Sequence, residues 1–466
     1  MKRARILLLI VTIFLLGDLS LLYGKEQGQK TPQAKEQGQQ SRTEAQQSLP
    51  PLSKEGAACL GCHTRMSPSF TKEWELSAHA SKGVDCYSCH QAEKSDPDAF
   101  EHNGFTIAIL VTPKDCGKCH PQEVKEMSGS HHANAANILN SLDNYLGEVV
   151  AGPEAVAVGC FQCHGSTIKV LPNHRLDPTT WPNTGIGRIN PDGSLGSCSA
   201  CHTRHHFSRA QARQPEACGK CHLGPDHPQR EVYEESKHGI LYAAFKDKLN
   251  IESPEWVVGR DYTAAPTCST CHMSATPKQP VTHDVGTRIS WTLRPPISKK
   301  LPNGEQRREA MVDVCSSCHA SPFVTGFYTQ FDNLVALYND KFAKPATAIR
   351  NELMEQDKLT KADFDDKIDW IYWELWHHEG RRARHGASMS GPDYAWWIGM
   401  YDVAKNFYGE FLPEVQKVAG PELYSQLLKK YLGSDIRHEW YIKGMSKEQL
   451  EKIRKFYEQR YAEPVK

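Results

Sequence analysis

The sequence has no surplus of either charge and few long apolar runs. Its 466 residues include 55 Lys and Arg and 55 Asp and Glu, which gives a formal net charge of +0. This balance gives no electrostatic reason to expect nucleic acid or an acidic membrane surface as a partner. After the first residues no apolar segment is long enough to span a bilayer, so we expect no transmembrane helix in the mature chain.

The N-terminus is the exception to this polar character. Basic residues precede the apolar run from Ile6 to Leu16, and Asp18 ends that run before it reaches bilayer-spanning length. This pattern predicts a signal peptide over residues 1–24 and export to the bacterial periplasm or an equivalent oxidising compartment. Residues 25–55 repeat "KEQGQ" and are rich in Gln, Pro and Ser, so we expect a disordered linker.

The chain has no cysteine outside one repeated motif. Disulfides or zinc sites would explain cysteine pairs, but neither needs a histidine directly after the second cysteine. The pattern therefore favours c-type haem attachment. All 16 cysteines belong to eight Cys-x-x-Cys-His motifs: Cys59-Cys62-His63, Cys86-Cys89-His90, Cys116-Cys119-His120, Cys160-Cys163-His164, Cys198-Cys201-His202, Cys218-Cys221-His222, Cys268-Cys271-His272 and Cys315-Cys318-His319.

Haem chemistry explains the spacing of the motif. Each thiol bonds to one vinyl group of the porphyrin, and the following histidine is held below the iron as an axial ligand. We therefore predict eight haem c groups. The fifth and sixth motifs are so close in sequence that we expect their haems to lie side by side.

Fourteen histidines lie outside the motifs, and a low-spin haem needs a second imidazole. His79, His132 and His238 lie in helical segments, whereas His227 and His283 lie on turns. The pair His377 and His378 ends an apolar helix. We assign no ligand role to the histidines in weaker contexts, which are His102, His174, His385 and His438.

The composition changes near residue 323. We predict a haem-bearing domain over residues 56–322 and a C-terminal bundle of long helices over residues 323–466, in a mainly α fold. Strand-like alternation is scarce, and only the segment from Phe105 to Pro113 fits either a strand or the start of a buried helix. Near the C-terminus, Ser446 and Gln449 fit a capping box that opens a helix. A further helical face is predicted from the spacing of Ile368, Ile371, Tyr372 and Leu375.

Three long segments resemble the octahaem hydroxylamine oxidoreductase family: "WPNTGIGRINPDGS", "RQPEACGKCHLGPDHPQREVYEESKHGI" and "WHHEGRRARHGASMSGPDYAWWIGMYDVAKNFY". The resemblance implies a mostly helical homotrimer with seven bis-histidine haems and one five-coordinate catalytic haem, the fourth, held by Cys160, Cys163 and His164. It implies oxidation of hydroxylamine to nitric oxide or nitrite, with electrons passing to a soluble c-type cytochrome. Hydrazine oxidation and nitrite reduction are alternatives at the same haem, and a non-catalytic electron conduit is an alternative of another class.

The resemblance also assigns roles to individual residues. His205 is predicted as the catalytic base, oriented by Asp192, and Tyr394 as the residue of a neighbouring subunit that bonds to the fourth haem, with Tyr401 as the second choice. Isoleucine stands at position 398, where the family pattern leads us to expect histidine. The predicted distal ligands are His79, His132, His206, His227, His238, His283 and His378; within the adjacent pairs, His131, His205 and His377 are the alternatives.

Overall fold

Short helices separated by turns make up the first part of the chain. The computed structural model describes residues 49–138 and 145–462. The predicted signal peptide and most of the predicted linker lie outside these residues. The helices up to the eighth motif are Lys54–Met66, Pro68–Glu75, Cys86–His90, Pro113–Cys116, Pro121–Gly129, Ala135–Ile138, Pro153–Val158, Cys160–His164, Arg209–Arg213, Pro215–Gly219, Gln229–Glu235, Lys237–Phe245, Cys268–His272 and Gly304–Ser316, with a π-helical segment at Leu146–Ala151 and 3-10 turns at Ala80–Lys82, Cys198–Ala200 and Lys246–Lys248.

Longer helical rods make up the second part. Three of them are continuous over residues 321–355, 367–388 and 392–431, because α-helices are joined by π-helical segments without a break. Gly420, with φ 77°, bends the third rod just before Pro421. The α-helices are Ser321–Tyr338, Lys344–Glu355, Lys367–Trp373, Gly380–Ser388, Pro392–Ala395, Asp402–Asn406, Leu412–Tyr431, Glu439–Lys443 and Lys447–Ala462; the π-helical segments are Asn339–Ala343, Glu374–Glu379, Trp396–Tyr401 and Phe407–Phe411, and a 3-10 turn lies at Ile436–His438.

Sheet structure is sparse in the described residues. Phe100–His102 pairs antiparallel with Phe105–Ile107, and Trp291–Thr292 pairs antiparallel with Lys299–Lys300. The segment predicted as strand or helix start is therefore a strand for its first three residues and leads to the Pro113–Cys116 helix. The prediction of a mainly α fold is confirmed.

Several motifs form their own single-turn helices. Asp85 precedes the second motif, and its carboxylate accepts a hydrogen bond from the Ser88 backbone N–H at 3.0 Å while the Ser88 hydroxyl donates to it at 3.0 Å. Thr267 and Thr270 make the equivalent capping box before the seventh motif. One helical turn places side chains three residues apart on the same face, so the two cysteines of a motif point to the same side.

The largest apolar cluster lies in the C-terminal helices. Phe342, Leu375, Phe407 and Phe411 are each at most 2% exposed within it. Ile368, Ile371 and Leu375 are buried and Tyr372 packs against the same cluster, so the predicted helical face is confirmed. A smaller cluster in the motif-bearing part surrounds Trp256.

The predicted division into two domains near residue 322 stays a prediction. The Ser321–Tyr338 helix crosses it, and the described residues from Leu49 onward form one compact unit. Ser446 and Gln449 form the predicted capping box, with hydrogen bonds of 2.9 and 3.1 Å between side chain and backbone. Within residues 49–138 and 145–462, no helix combines the length and apolar character needed to cross a membrane.

Candidate haem and redox sites

The cysteines of neighbouring motifs lie close together and define an order of motifs in space. The neighbouring thiols place the motifs in the spatial order first, second, third, fifth, sixth, seventh and eighth. The fifth and sixth motifs are therefore adjacent, as the sequence predicts. The joining pairs are Cys59 with Cys86, Cys89 with Cys119, Cys116 with Cys198, Cys201 with Cys218, Cys218 with Cys268, and Cys271 with Cys315.

The fourth motif joins this series from the side. The Cys163 thiol forms a hydrogen bond with the thiol of Cys221, which belongs to the sixth motif. Lys220, between the two cysteines of the sixth motif, donates a hydrogen bond to the Ala200 carbonyl of the fifth motif. The sixth motif is thus the point where the fourth motif meets the series.

Histidine rings form the second pattern. Two imidazoles that bind one metal ion from opposite sides, each through a nitrogen about 2 Å from the metal, have ring centres roughly 6 Å apart. Five motif histidines face a non-motif histidine at such a spacing, so the residues fit bis-histidine haem. The pairs are His63 with His102 at 6.2 Å, His90 with His205 at 6.5 Å, His120 with His79 at 6.2 Å, His222 with His132 at 6.0 Å and with His227 at 6.3 Å, and His319 with His238 at 6.0 Å.

Hydrogen bonds to carbonyl groups orient motif histidines for metal binding. Nδ1 of His90 lies 2.8 Å from the Ala108 carbonyl oxygen, and Nδ1 of His164 lies 3.3 Å from that of Ala135. A carbonyl oxygen can accept a hydrogen bond but cannot donate one. Each Nδ1 therefore carries the hydrogen, and Nε2 has the lone pair that a metal needs.

The fifth, sixth and seventh motifs have further histidine neighbours. His283 lies near His202, and His132 lies near His272 as well as His222. His385 is buried near His222, and Gln229 contacts both rings at 3.4 Å. Burial and neighbouring positive charges lower the pKa of His385 to about 3. His385 is therefore neutral near pH 7, which is the form that binds a metal.

The adjacent pair His205 and His206 is divided differently from the prediction. His205, predicted as the base, lies beside His90, whereas His206, predicted as the ligand, is half-exposed with Nδ1 3.9 Å from Glu73. Asp192, predicted to orient His205, accepts hydrogen bonds from Thr112 at 2.6 Å and Ser194 at 2.6 Å instead. The placement favours the opposite division: His205 as the second imidazole of the second motif, with Asp192 bracing a turn.

His227 was predicted as a ligand but makes protein contacts through both ring nitrogens. Nδ1 donates to the carboxylate of Asp226, and Nε2 lies 2.9 Å from the Cys221 carbonyl oxygen. Burial alone would lower the pKa of His227, but the hydrogen bond and charge of Asp226 outweigh it and raise the pKa. Since a carbonyl and a carboxylate both accept protons, this geometry holds His227 as an imidazolium.

Asp226 is the centre of a small charged cluster. Arg381 donates to its Oδ2 at 2.9 Å, and Nε2 of His377 lies 3.8 Å from the same oxygen. Burial alone would raise the pKa of the Asp226 carboxyl. The hydrogen bond of His227 and the charges of His227, His377 and Arg381 together outweigh burial and hold this pKa well below its usual value. The charge of His227 reaches Cys163, so the cluster adjoins the fourth motif.

The remaining predicted residues lie at the edge of this cluster or outside it. His377 is buried and stacks on Trp373 with ring centres 3.6 Å apart, while Nδ1 of His378 lies 2.6 Å from Glu374. The backbone N–H of Tyr394 contacts Glu235 at 3.3 Å, and Tyr401 is exposed. The bond between Tyr394 and a haem of a neighbouring subunit stays a prediction.

Four residues of these sites were not predicted from the sequence. Asp226 directly precedes His227, and this adjacency was a signal that could have identified the pair. His102, His385 and Arg381 had no local signal, because each reaches its site through long-range packing.

Comparisons with known proteins agree with haem attachment. Residues 192–364 match the family described as "Seven times multi-haem cytochrome CxxCH", and residues 23–91 and 115–187 match "Cytochrome c554 and c-prime". The chain carries the haem-binding sequence of a multihaem cytochrome. These matches indicate covalently bound haem c and a haem-based redox or electron-transfer role.

The individual proteins that this chain resembles are distant from it in sequence. It is 27% identical over 457 residues to the "Probable nitrite reductase-hydroxylamine oxidoreductase fusion protein" of Kuenenia stuttgartiensis, over 73% of this chain and 49% of that protein. The chain thus spans about half the length of this relative. A solved "Hypothetical multiheme protein" is 26% identical with TM-score 0.70 and covers 80% of this chain and 97% of its own. The "reducing HAO-like protein complex" of Kuenenia stuttgartiensis shares the fold, with 20% identity and TM-score 0.61 over 78% of this chain and 85% of its own.

Proposed function

We propose that this multihaem cytochrome is an exported, homotrimeric enzyme with eight haem c groups that oxidises hydroxylamine at its fourth motif. Electrons would pass through the other motifs to a soluble c-type cytochrome. The observation that carries the proposal is the cluster of Asp226, His227 and Arg381 next to Cys163. Haem c at this motif supplies an iron that binds the substrate nitrogen and accepts its electrons.

The position of the fourth motif supports a catalytic role. A motif that only carries electrons gains from lying within the series, between two neighbours. The fourth motif instead meets the series through Cys163 and Cys221, at the sixth motif. A side branch of this kind suits a site where substrate enters and electrons begin their transfer.

The cluster supplies the proton chemistry that oxidation of hydroxylamine requires. Protons leave the substrate together with electrons, so a positioned imidazole is needed to exchange them. Asp226 orients the His227 ring through Nδ1, and Arg381 keeps Asp226 ionised by its charge and its 2.9 Å hydrogen bond. Because His227 is protonated at both ring nitrogens in this arrangement, it would accept a substrate proton at Nε2 after its own Nε2 proton, which is donated to the Cys221 carbonyl oxygen, has been released to solvent.

Reduction of nitrite at the same motif is the second candidate, and the charge state of His227 favours it. An imidazolium is a ready proton donor, and reduction of nitrite consumes protons. The names of the two Kuenenia stuttgartiensis relatives include nitrite reductase and reducing activity. Hydrazine oxidation would also require His227 to accept protons from the substrate, and it is a third reaction to measure.

The test is a steady-state assay of the mature protein with hydroxylamine, hydrazine and nitrite, with analysis of products. We expect hydroxylamine oxidation to be fastest and His227→Gln to lower kcat/KM by about 10²–10⁴-fold, the usual contribution of a proton-transfer group. His174→Gln is the control, because that exposed side chain contacts the Pro97 carbonyl, away from the cluster.

Two outcomes would contradict the proposal. Full turnover in His227→Gln would remove the cluster from the reaction. A reduced protein with low-spin haem alone and no binding of carbon monoxide would support the non-catalytic conduit. Mass spectrometry of the denatured protein tests the cross-link: we expect Tyr394 on the peptide that contains Cys160 and Cys163, and an unmodified Tyr394 would favour the reductive reaction.

A further inference from the structure

The last helix of the described residues, Lys447–Ala462, projects into solvent, and we call it the terminal helix. Every residue from Lys452 to Tyr461 is exposed. A helix that packs against its own domain by one face instead buries a residue in nearly every turn. The terminal helix also contributes no residue to the two apolar clusters described above, so its apolar side chains have no core of their own chain to join.

Local interactions start and support the terminal helix. The Ser446 hydroxyl accepts a hydrogen bond from the Gln449 backbone N–H at 3.1 Å, and the Gln449 side chain accepts one from the Ser446 N–H at 2.9 Å. Arg454 pairs with Glu451 at 2.6 Å and with Glu458 at 2.5 Å. Isolated helices of roughly this length are marginal in water, and most helices in proteins gain their stability when an apolar face packs against a partner.

One face of the terminal helix is apolar. Leu450, Ile453, Tyr457 and Tyr461 are spaced by three and four residues, so they form a stripe along the helix, and Phe456 borders this stripe. These five side chains are between 48% and 77% exposed. Single exposed apolar side chains are common, but a continuous stripe of them marks a contact surface.

The charges of the terminal helix favour a partner surface that carries both signs. The helix has five Lys and Arg and three Glu, and pairs within it neutralise several of these charges, including Lys452 with Glu448 at 2.9 Å and Lys455 with Glu451 at 3.8 Å. A helix that lies on an anionic membrane has a polar face dominated by Lys and Arg. The mixed charges here suit a second copy of the same helix better, because that copy presents both signs as well.

Two copies of the apolar face provide enough area for a specific contact. A buried aromatic side chain covers about 150–250 Å², so at these exposures the three rings, Leu450 and Ile453 offer on the order of 500 Å² per helix. A pair would bury about 1,000 Å² in total, which is the lower limit for a biological interface.

We propose that the terminal helix is a self-association surface that pairs with the same helix of a second copy of this chain. The contact is isologous, since the same residues, with Ile453 and Tyr457 at the centre, face each other across a two-fold axis. It is a different contact from that of the proposed homotrimer, in which Tyr394 reaches a neighbouring subunit. It therefore joins two such assemblies, and it does not depend on the reaction at the fourth motif.

The test is the molar mass of the full-length, haem-loaded protein, measured by analytical ultracentrifugation over a range of protein concentrations. In Ile453→Glu we expect half the mass of the wild type, because the contact would bury a carboxylate without a partner. Gln459→Glu is the matched control: it adds the same charge on the opposite side of the helix and should keep the wild-type mass. The expected twofold ratio holds whether the remaining contacts give a monomer or a trimer, so failure of this proposal is distinguishable from failure of the homotrimer.

Hydrogen exchange gives a second readout at the helix itself. In the wild type we expect the amides of the terminal helix to gain protection as the protein concentration rises, whereas in Ile453→Glu they should exchange rapidly at every concentration. Thermal unfolding of the other helices should be the same in both proteins, since the terminal helix lies apart from the apolar clusters.

Two results would overturn the proposal. Equal masses for the wild type and Ile453→Glu at every concentration would show that this face does not bind a second copy, and binding of phosphatidylglycerol vesicles by the wild type alone would then identify it as a membrane contact. Half the wild-type mass in Gln459→Glu as well would show that added charge, rather than loss of the apolar face, disrupts the assembly.

Discussion

The motif-bearing region and the C-terminal helices are stabilised in different ways. The C-terminal helices share one large apolar cluster that includes Tyr338, Leu375 and Phe407, each inaccessible to solvent. The motif-bearing region has a cluster of five buried residues around Trp256 and many short helices fixed by polar caps such as Asp85. We infer that the C-terminal helices are stabilised mainly by hydrophobic burial, whereas the motif-bearing region depends more on what its cysteines attach.

This difference assigns a structural role to haem. Burial of apolar area is the main favourable term in folding. A region whose own side chains bury little apolar area needs another source, and large covalently attached porphyrins supply it. The C-terminal helices need no such source.

Preventing haem attachment should have the largest effect on this contrast. In a full-length chain produced without haem, we expect residues 54–319 to lose protection from hydrogen exchange, whereas residues 321–443 keep most of theirs. Hydrogen exchange with mass spectrometry measures both regions in one sample. Equal loss of protection in both regions would show that the C-terminal helices also depend on haem.

Shortening one buried side chain in the apolar cluster of the C-terminal helices should have the next largest effect. Phe407→Ala leaves a cavity among fully buried rings, and we expect a loss of about 3–5 kcal/mol in the free energy of unfolding. Thermal unfolding followed by circular dichroism measures it, and the haem absorption spectrum should be unchanged at low temperature. Phe456→Ala is the control, since that ring is 56% exposed and its loss should change stability little. A changed haem spectrum in Phe407→Ala would show that the two regions are not stabilised independently.

The smallest expected effect is a pH dependence confined to the C-terminal helices. His438 is fully buried and its Nδ1 lies 2.8 Å from the Tyr408 hydroxyl. Burial lowers its pKa below 6.5, with help from Lys341 and Arg437 and against the charge of Asp435. The unfolded chain then binds the proton more readily, so this contribution to stability is present at pH 8 and is lost as the pH falls below 6.5.

The pH effect can be isolated by substitution. His438→Asn retains an acceptor for the Tyr408 hydroxyl but does not titrate, so its melting temperature should fall less than that of the wild type between pH 8 and pH 5. Each unit of pKa depression contributes about 1.4 kcal/mol. Parallel pH profiles of the two proteins would contradict the assignment.

The sequence predicted features that depend on local patterns. The motifs, the mainly α fold, the buried face of Ile368 and Leu375, and the capping box at Ser446 each follow from neighbours within a few residues. The second imidazoles were harder, because a distal histidine is chosen by distance in space. His102 reaches His63 from a β-hairpin that lies 39 positions further along the chain. The choice between His205 and His206 was equally hard to predict. Adjacent side chains point in different directions, and the sequence does not show which of the two directions leads to a motif histidine.

The attachment of the fourth motif at the sixth makes the array a three-way junction with two open ends, at the first and eighth motifs. Electrons that arrive at the junction can spread in both directions before an acceptor removes them one at a time. Under the proposed function, the array would act as a reservoir between a reaction that releases several electrons at once and partners that accept single electrons. Its storage capacity, rather than the rate of any one transfer, would then set how many turnovers are complete before the first acceptor must dock.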